Sequence, residues 1–368
     1  MKSYNHLFEK LITNDNLLEA VYNAAKHKRN RPDVKEVLKD PQLYVDRLKA
    51  ILVNKTYTSC THKAVRIYDG CSKKVRLIIK PKFLYEQIIQ HAVIQVLKPI
   101  ILKGMYPFSC GSIPNRGCHY GKRYLEKVIR KNSDTPELKY VLKLDIKHFY
   151  QSIDIAKVNK MIHNVIHDKD MLEVIDCVLS SNIAEYEGKE VSMGLPIGYY
   201  TSQWIANWFL QDLDHFIKEK LHTKFYVRYV DDMVLFAKNK KELYNIYREI
   251  EEFLNSKGLT VKSNWKIFKF DYINKFGIRT GFPIDFMGFK FYRDKTTLRK
   301  SILLKASRKA TKIDKKIKVT SYDASQMLSY FGWFKHTNTY NAFRKHIGSK
   351  INITEMKFLI RRRSKLCA

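Results

Sequence analysis

The chain of 368 residues carries 68 Lys and Arg against 36 Asp and Glu, which gives a formal net charge of +32. This excess argues against an enzyme with a neutral surface and indicates a polyanionic partner, with nucleic acid the first candidate and an anionic membrane surface the second. Because no apolar run approaches the ~20 residues that span a bilayer and no apolar signal segment opens the chain, we expect a cytoplasmic protein without a membrane partner.

The first 63 residues are predicted to form a basic helical extension. Apolar residues recur at near-helical spacing between Leu7 and Val21, Asn14 to Asn16 is expected to cap a second helix, and a further helix is predicted from about 41 to 52. The basic cluster at 26–31 either lies on a solvated surface or forms an arm that contacts phosphates, and the net charge favours the arm.

Residues 64–80 alternate in polarity and predict a β-hairpin, with a turn at 69–72. A helix is predicted over 83–102. The Gly-rich loop at 111–117 contains an arginine and precedes a helix at about 119–131, which is the form of a phosphate-binding loop, although the motif is weak by itself.

An apolar strand beginning at residue 140 ends in Asp145. An aspartate on a buried strand is costly unless a charged partner or a metal compensates it. Residues 155–190 are predicted to be mostly helical and to end in a turn at Glu187 and Gly188, and the loop at 194–203 opens a predicted helix that runs to about Leu221.

Residues 225–237 contain two apolar, β-rich runs around Asp231 and Asp232, which predicts a hairpin with both carboxylates at its tip. Adjacent carboxylates repel each other unless a cation neutralises them, and hard oxygen ligands suit Mg²⁺. The alternative is an ordinary surface turn, in which aspartate is common. The apolar and aromatic flanks and the further carboxylate of Asp145 favour a metal site.

An amphipathic helix is predicted over 240–257, followed by strand-like segments at 261–268 and 286–291. From residue 293 to the end there are 20 Lys or Arg against 4 Asp or Glu. Helices are predicted there near 301–317, 323–330 and 339–348.

This order of elements resembles the palm of reverse transcriptases, over about residues 64–345. Residues 145–150 resemble the first catalytic block, 229–232 the Tyr-x-Asp-Asp block, 195–198 the block between them, and 286–289 the primer-grip strand pair, with Met287 and Gly288. The resemblance implies an α+β, right-hand polymerase fold. Its parts would be fingers over 64–139, a palm with an antiparallel sheet and a helical insertion over 140–292, and a basic helical thumb over 293–368.

The resemblance also implies a two-metal site. Asp145, Asp231 and Asp232 are the expected catalytic residues and ligands of two Mg²⁺ ions, with the Ile146 carbonyl as a further ligand, and Mn²⁺ is expected to substitute. The implied reaction is RNA-directed DNA synthesis from dNTPs by in-line phosphoryl transfer.

Tyr150 is the expected sugar gate that selects deoxynucleotides; the alternative is that Tyr150 is core and Phe149 faces the site. Arg76, Lys80 and Arg116 are candidates for gripping the triphosphate, since charge-assisted contacts suit such a role. Each of the three is equally compatible with an ordinary surface cation.

Ile197 and Gly198 are expected beside the nascent base pair. Most relatives carry Gln before this glycine, so isoleucine predicts relaxed fidelity; the alternative is plain hydrophobic packing. Lys266 is a candidate proton donor to pyrophosphate or a plain exposed lysine.

The segment from Ile197 to Gln203, with Ser202 before that glutamine, resembles reverse transcriptases of diversity-generating retroelements. Antiphage-defence reverse transcriptases share parts of the pattern, so a defence role with unusual priming stays open. A maturase-like RNA-binding protein is a third interpretation, which the intact aspartates oppose. The implied partners of a bacterial or phage-encoded enzyme are template RNA, a cDNA–primer duplex, a noncoding RNA of the same locus and a small helical accessory protein.

Overall fold

The structure is a computed structural model that describes residues 3–58, 62–69 and 74–366; residues 70–72 of the first predicted turn lie outside these ranges. The helices in chain order are α1 (Leu7–Leu11), α2 (Asn14–Ala25), α3 (Pro32–Lys39), α4 (Pro41–Val53), α5 (Ile88–Lys103), α6 (Cys118–Lys131), α7 (Phe149–Ser152), α8 (Ile155–His163), α9 (Lys169–Ser180), α10 (Tyr200–Phe209), α11 (Gln211–His215), α12 (Lys240–Ser256), α13 (Lys300–Asp314), α14 (Ser321–Phe334), α15 (Tyr340–Phe343) and α16 (Ile353–Leu366).

Strands occur between α4 and α13 and are absent from the helical segments at the two ends of the described chain. They are β1 (His62–Asp69), β2 (Lys74–Ile79), β3 (Ser109–Cys110), β4 (Tyr140–Asp145), β5 (Ile183–Tyr186), β6 (Lys189–Ser192), β7 (Tyr226–Tyr229), β8 (Asp232–Ala237), β9 (Lys266–Lys269), β10 (Tyr272–Ile273), β11 (Arg279–Thr280), β12 (Ile284–Phe286), β13 (Phe289–Phe291) and β14 (Thr296–Leu298). Short π-helical turns cover Phe83–Gln87, Phe216–Lys220 and Arg344–Gly348, and a 3₁₀ turn covers Pro136–Leu138.

The chain divides into two compact units, and each is built from separate segments. Unit 1 consists of Met1–Gly117, Leu144–His222 and Ile246–Trp265. Unit 2 consists of Cys118–Lys143, Thr223–Asn245 and Lys266–Ala368. The mixture of sheets and helices agrees with the predicted fold class, whereas the fingers, palm and thumb boundaries stay predictions. No helix in the described ranges is long and apolar enough to cross a membrane.

The N-terminal part of unit 1 is helical, as predicted. Leu17 and Val21 of α2 are fully buried, as the apolar spacing requires. The cap of α2 is Thr13 and not the predicted segment Asn14 to Asn16, because the Thr13 hydroxyl accepts a bond of 3.3 Å from the Asn16 amide and the helix already begins at Asn14.

A four-stranded sheet in unit 1 has the order β2-β1-β5-β6. β1 and β2 form the predicted antiparallel hairpin, with Val65 opposite Ile78. The helix predicted up to residue 190 is wrong over β5 and β6, which form a hairpin whose turn residues Glu187 and Gly188 both have positive φ. β5 pairs in parallel with the edge of β1, which places Ala184 in a buried cluster with Ile79, and this non-local pairing outweighs the local helix preference.

The helix predicted up to about Leu221 is divided. α10 begins at Tyr200 and ends at Phe209, α11 begins at Gln211, and a π-helical turn follows it. Almost all of α10 is buried within unit 1, so this helix is a central element of the unit 1 core.

The main sheet of unit 2 contains the neighbouring strands β7, β8, β4 and β9 in this order. β7 and β8 are the predicted antiparallel hairpin. The strand-like segment predicted at 261–268 is narrower in the structure, since β9 covers only Lys266–Lys269.

The C-terminal region of unit 2 has a small antiparallel sheet, β12-β13-β14, and the helices α13 to α16. α14 begins with a capping box in which Thr320 and Asp323 exchange bonds. The Asp323 carboxylate also accepts bonds of 2.8 Å from Lys309 and 2.7 Å from Lys316. These bonds hold the pKa of Asp323 well below its usual range. α16 was not predicted from the sequence.

Candidate active site

The turn between β7 and β8 carries the paired aspartates in unit 2. Val230 and Asp231 form the turn, and Asp232 is the first residue of β8, opposite Tyr229. Val230 has a φ of 57°, which is unfavourable for a β-branched residue. The fully buried Arg228 donates a bond of 2.9 Å to the Val230 carbonyl and so stabilises this strained turn.

A lysine accompanies Asp232 within unit 2. The Lys143 ammonium lies 3.4 Å from Asp232 Oδ2 and donates a bond of 2.6 Å to the Asp285 carbonyl. The sequence predictions did not include Lys143. The sequence feature that could have identified Lys143 is its position between the apolar Leu142 and Leu144 of a predicted strand, because a cation there requires an anionic or carbonyl partner.

Asp145 ends β4 and belongs to unit 1. Its carboxylate lies 3.2 Å from the Lys262 ammonium, and its carbonyl accepts a bond of 2.8 Å from the Lys262 amide. Ile146 forms an isolated antiparallel bridge with Val261, which fixes the backbone after Asp145. Lys262 was also missed from the sequence, because nothing local to residues 258–265 shows which strand they join.

Three of the predicted nucleotide-binding residues of unit 1 lie in the loop that precedes α10 or bond to it, namely Tyr150, Ile197 and Gly198. The Leu195 amide donates a bond of 2.8 Å to the Tyr150 carbonyl, and the Ile79 amide donates a bond of 2.9 Å to the Ile197 carbonyl. Gly198 has a φ of 117°, and a Cβ on it would lie 2.0 Å from the Ile79 carbonyl oxygen. Only glycine permits this approach.

Side-chain burial bears on the choice between Phe149 and Tyr150. Phe149 is 3% exposed, whereas Tyr150 is partly exposed, with ring centroids 5.4 Å apart. Phe149 is therefore the core residue of the pair, and Tyr150 remains the proposed sugar gate.

A hydrogen bond and a ring stack hold the first residue of α10, Tyr200, within unit 1. The Tyr200 amide donates a bond of 2.8 Å to the Gln90 side chain, and the Tyr200 ring stacks on His91 with centroids 3.7 Å apart. Burial, with Lys28 and Lys26 nearby, lowers the pKa of His91 to about 4. His91 is therefore neutral at physiological pH.

The predicted triphosphate cations differ in their surroundings. Arg76 and Lys80 are exposed, on β2 and directly after it. Arg116 donates a bond of 3.1 Å to the Tyr106 carbonyl, so its guanidinium also stabilises its own loop. Lys266 is exposed at the start of β9 and belongs to unit 2. A phosphate role for each of them stays a prediction.

The predicted primer-grip residues form a tight turn in unit 2. Met287 and Gly288 join β12 to β13, with φ values of 52° and 85°, so this segment is a strand–turn–strand rather than one strand. The Gly288 carbonyl accepts a bond of 3.0 Å from the Arg299 amide. A Cβ on Gly288 would lie 3.0 Å from Trp333, so the turn is closely packed.

The donor atoms decide which metal would suit these residues. Among the described residues, no group of three or more His, Cys, Asp or Glu side chains is arranged to hold a metal ion. The carboxylates of Asp145, Asp231 and Asp232 and the Ile146 carbonyl are hard oxygen donors, which fit Mg²⁺ or Mn²⁺ and not a thiophilic metal. The Asp145 and Asp232 side chains are 30% and 25% exposed, and within the Asp232 carboxylate the Oδ1 atom is buried.

The chain is similar to a known protein family and to a bacterial protein. Residues 62–291 match the reverse transcriptase (RNA-dependent DNA polymerase) family. The chain is also similar to the retron Ec73 reverse transcriptase of Escherichia coli, with 27% identity over 146 residues. This alignment covers 36% of the chain and 43% of the retron protein, so the chain spans less than half the length of this relative.

Proposed function

Because the chain belongs to the reverse transcriptase family, we propose that it is an RNA-directed DNA polymerase that extends a primer with dNTPs along an RNA template. The observation that carries the proposal is the strained turn at Val230 and Asp231, held by the buried Arg228. Strain of this kind persists where the surroundings impose it, and it clusters at functional sites.

We propose Asp145, Asp231 and Asp232 as the metal ligands, with the Ile146 carbonyl. Bound Mg²⁺ would supply charge stabilisation of the phosphoryl transfer and activation of the primer hydroxyl. Lys262 and Lys143 lie within 3.4 Å of Asp145 and Asp232, respectively. Each ammonium therefore orients a carboxylate.

In this proposal Tyr150 selects incoming nucleotides with a deoxyribose sugar, and Ile197 and Gly198 border the nascent base pair. Arg76, Lys80 and Arg116 hold the triphosphate, and Lys266 protonates the leaving pyrophosphate. Met287 and Gly288 position the primer end. Residues 64–139, 140–292 and 293–368 are the proposed fingers, palm and thumb.

The test is extension of a DNA primer on an RNA template by the full chain and by Asp231→Asn. Asp46→Asn is the matched control, because Asp46 is exposed on α4 and its carboxylate accepts a bond of 2.8 Å from the neighbouring Gln42 side chain, far along the chain from the proposed ligands. We expect loss of extension for Asp231→Asn alone, with template binding retained. Equal extension by the two variants would contradict the assignment of Asp231, and no extension by the wild-type chain would favour the maturase-like interpretation.

Fidelity is proposed to be low, because Ile197 offers no side-chain hydrogen bond to the base pair. Sequencing cDNA made by wild type and by Ile197→Gln measures this directly. We expect fewer substitutions from the glutamine variant. Identical error spectra would leave Ile197 as a packing residue.

For the biological setting we propose a diversity-generating retroelement, supported by the pattern from Ile197 to Gln203. An antiphage-defence enzyme is the second candidate, because antiphage-defence reverse transcriptases share parts of the same sequence pattern. A cytoplasmic enzyme with a noncoding RNA is proposed in either case, and a small helical accessory protein is proposed for the diversification role. Sequencing the RNA and DNA that copurify separates the two, since a variable-gene repeat is expected only for diversification.

A further inference from the structure

Unit 1 contains a cleft that is lined by none of the residues proposed above for polymerisation. Its volume is about 700 Å³, within the range of small-molecule sites. The ends of α5, α8, α10 and α12 and the N-terminal residue Tyr4 surround it. Apolar and aromatic side chains from these elements line it, namely Tyr4, Ile100, Met161, Trp208 and Phe209.

Backbone hydrogen bonds fix the position of Tyr4. Its amide donates a bond of 3.0 Å to the Val165 carbonyl, and its carbonyl accepts a bond of 3.0 Å from the His167 amide. The following segment is fixed as well, because Asp168 accepts bonds of 2.6 Å and 2.8 Å from the amides of Leu7 and Phe8. A half-buried aromatic ring is therefore held at the wall of the cleft.

The charges around the cleft are predominantly positive: four lysines and one aspartate line it. Asp212 pairs with Lys257 at 3.0 Å, and Lys157 donates to the Ser256 carbonyl at 2.7 Å. Lys103 and Lys160 are exposed and add two charges that Asp212 does not balance. The cleft thus combines an aromatic wall with a cationic rim.

We propose that this cleft binds a phosphorylated nucleoside, with its base against Tyr4 and its phosphates on Lys103 and Lys160. Stacking on an aromatic ring tolerates any base, and ammonium groups bind phosphate by charge-assisted bonds. The Asn164 side chain, exposed at the same cleft, can donate to and accept from a base edge. The nucleotide is either free in solution or part of an RNA strand, and the experiment has one arm for each.

The first arm measures equilibrium binding of radiolabelled ATP to the full chain in EDTA, which removes the metal on which binding at the proposed polymerase site depends. The second arm cross-links single-stranded RNA containing 4-thiouridine and identifies the modified peptide by mass spectrometry. ATP binding that Tyr4→Leu weakens identifies a free nucleotide. A cross-link at Tyr4 without ATP binding identifies a nucleotide of RNA.

The decisive variant is Lys103→Ala combined with Lys160→Ala. Its charge-matched control is Lys35→Ala combined with Lys39→Ala, two exposed lysines of α3 in the same unit. We expect the first pair to weaken the observed binding about 10- to 100-fold, the size of one or two lost charge-assisted bonds. Primer extension is expected to be unchanged in both pairs, so this result stays separate from the polymerase test.

Two results overturn the proposal. One is the absence of both ATP binding and a cross-link within the cleft. The other is an equal loss of binding in the two lysine pairs, which would show that only the general positive charge attracts the probe. Circular dichroism of each variant establishes that the fold is retained, which is expected because all four lysines are exposed.

Discussion

Gly198→Ala tests the close approach between the loop before α10 and strand β2. The added Cβ would lie 2.0 Å from the Ile79 carbonyl oxygen, so the loop must move by more than 1 Å to reach an ordinary contact. Such a shift breaks the 2.9 Å bond between the Ile79 amide and the Ile197 carbonyl. The lost bond costs about 1 kcal/mol and the positive φ of alanine a further ~1–2 kcal/mol. We therefore expect destabilisation of about 2–3 kcal/mol.

The assay is urea unfolding followed by tryptophan fluorescence, together with primer extension. Two glycines of the same unit provide controls: Gly188 has a φ of 76° and no atom within 4 Å of the point where a Cβ would lie, and Gly117 has neither a positive φ nor a near neighbour. Gly188→Ala should lose only the ~1–2 kcal/mol of stability that a positive φ costs an alanine, and Gly117→Ala almost none. If Gly198→Ala and Gly188→Ala are equally stable and equally active, the close approach has no energetic importance and the reasoning is refuted.

Three further predictions concern pH, a buried carboxylate and salt. The pKa of His91 is lowered to about 4 in the folded state, so its contribution of up to ~3 kcal/mol is complete above pH ~6.5 and is lost as pH falls toward 4. His91→Phe, which keeps the stack on Tyr200, should reduce the change of the unfolding midpoint with pH over this range. An unchanged pH dependence would assign the acid sensitivity to other groups. Asp323→Asn should destabilise unit 2 by about 2 kcal/mol at neutral pH, because Lys309 and Lys316 lose their carboxylate. The wild-type advantage should decrease progressively as pH falls below ~4, where the unfolded chain takes up the proton while the bonded carboxylate of the folded chain stays ionised; equal urea midpoints at pH 7 would argue against it. The net charge of +32 predicts a fall in primer–template affinity on the order of 10³-fold between about 50 and 200 mM salt, measured by fluorescence anisotropy, and a flat response would exclude phosphate contacts as its main source.

Local sequence patterns were sufficient to predict the strands that carry the aspartates. Alternation and β-rich flanks predicted the strands β4, β7 and β8, and Gly258 correctly marked the end of α12. These features depend on neighbours in sequence, so a sequence displays them directly.

Contacts between distant segments could not be predicted in this way. The hairpin of β5 and β6 forms because β1 offers an edge for parallel pairing, which no residue between 183 and 192 reveals. Lys143 and Lys262 became site candidates only when their carboxylate partners were located. Even the cap of α2 depended on backbone geometry that favoured Thr13 over the neighbouring Asn14.

The interleaving of the two units along the chain has a consequence for biosynthesis. Unit 1 is not complete until Trp265 has left the ribosome, whereas the segment Cys118–Lys143 of unit 2 emerges much earlier and must wait for Thr223–Asn245 and then for the chain that follows residue 265. A nascent polypeptide thus exposes apolar surfaces of β4 and α6 at least until β7 and β8 have emerged. Chaperone protection of this intermediate is expected, and no single cut in the gene can release either unit as an autonomous fragment.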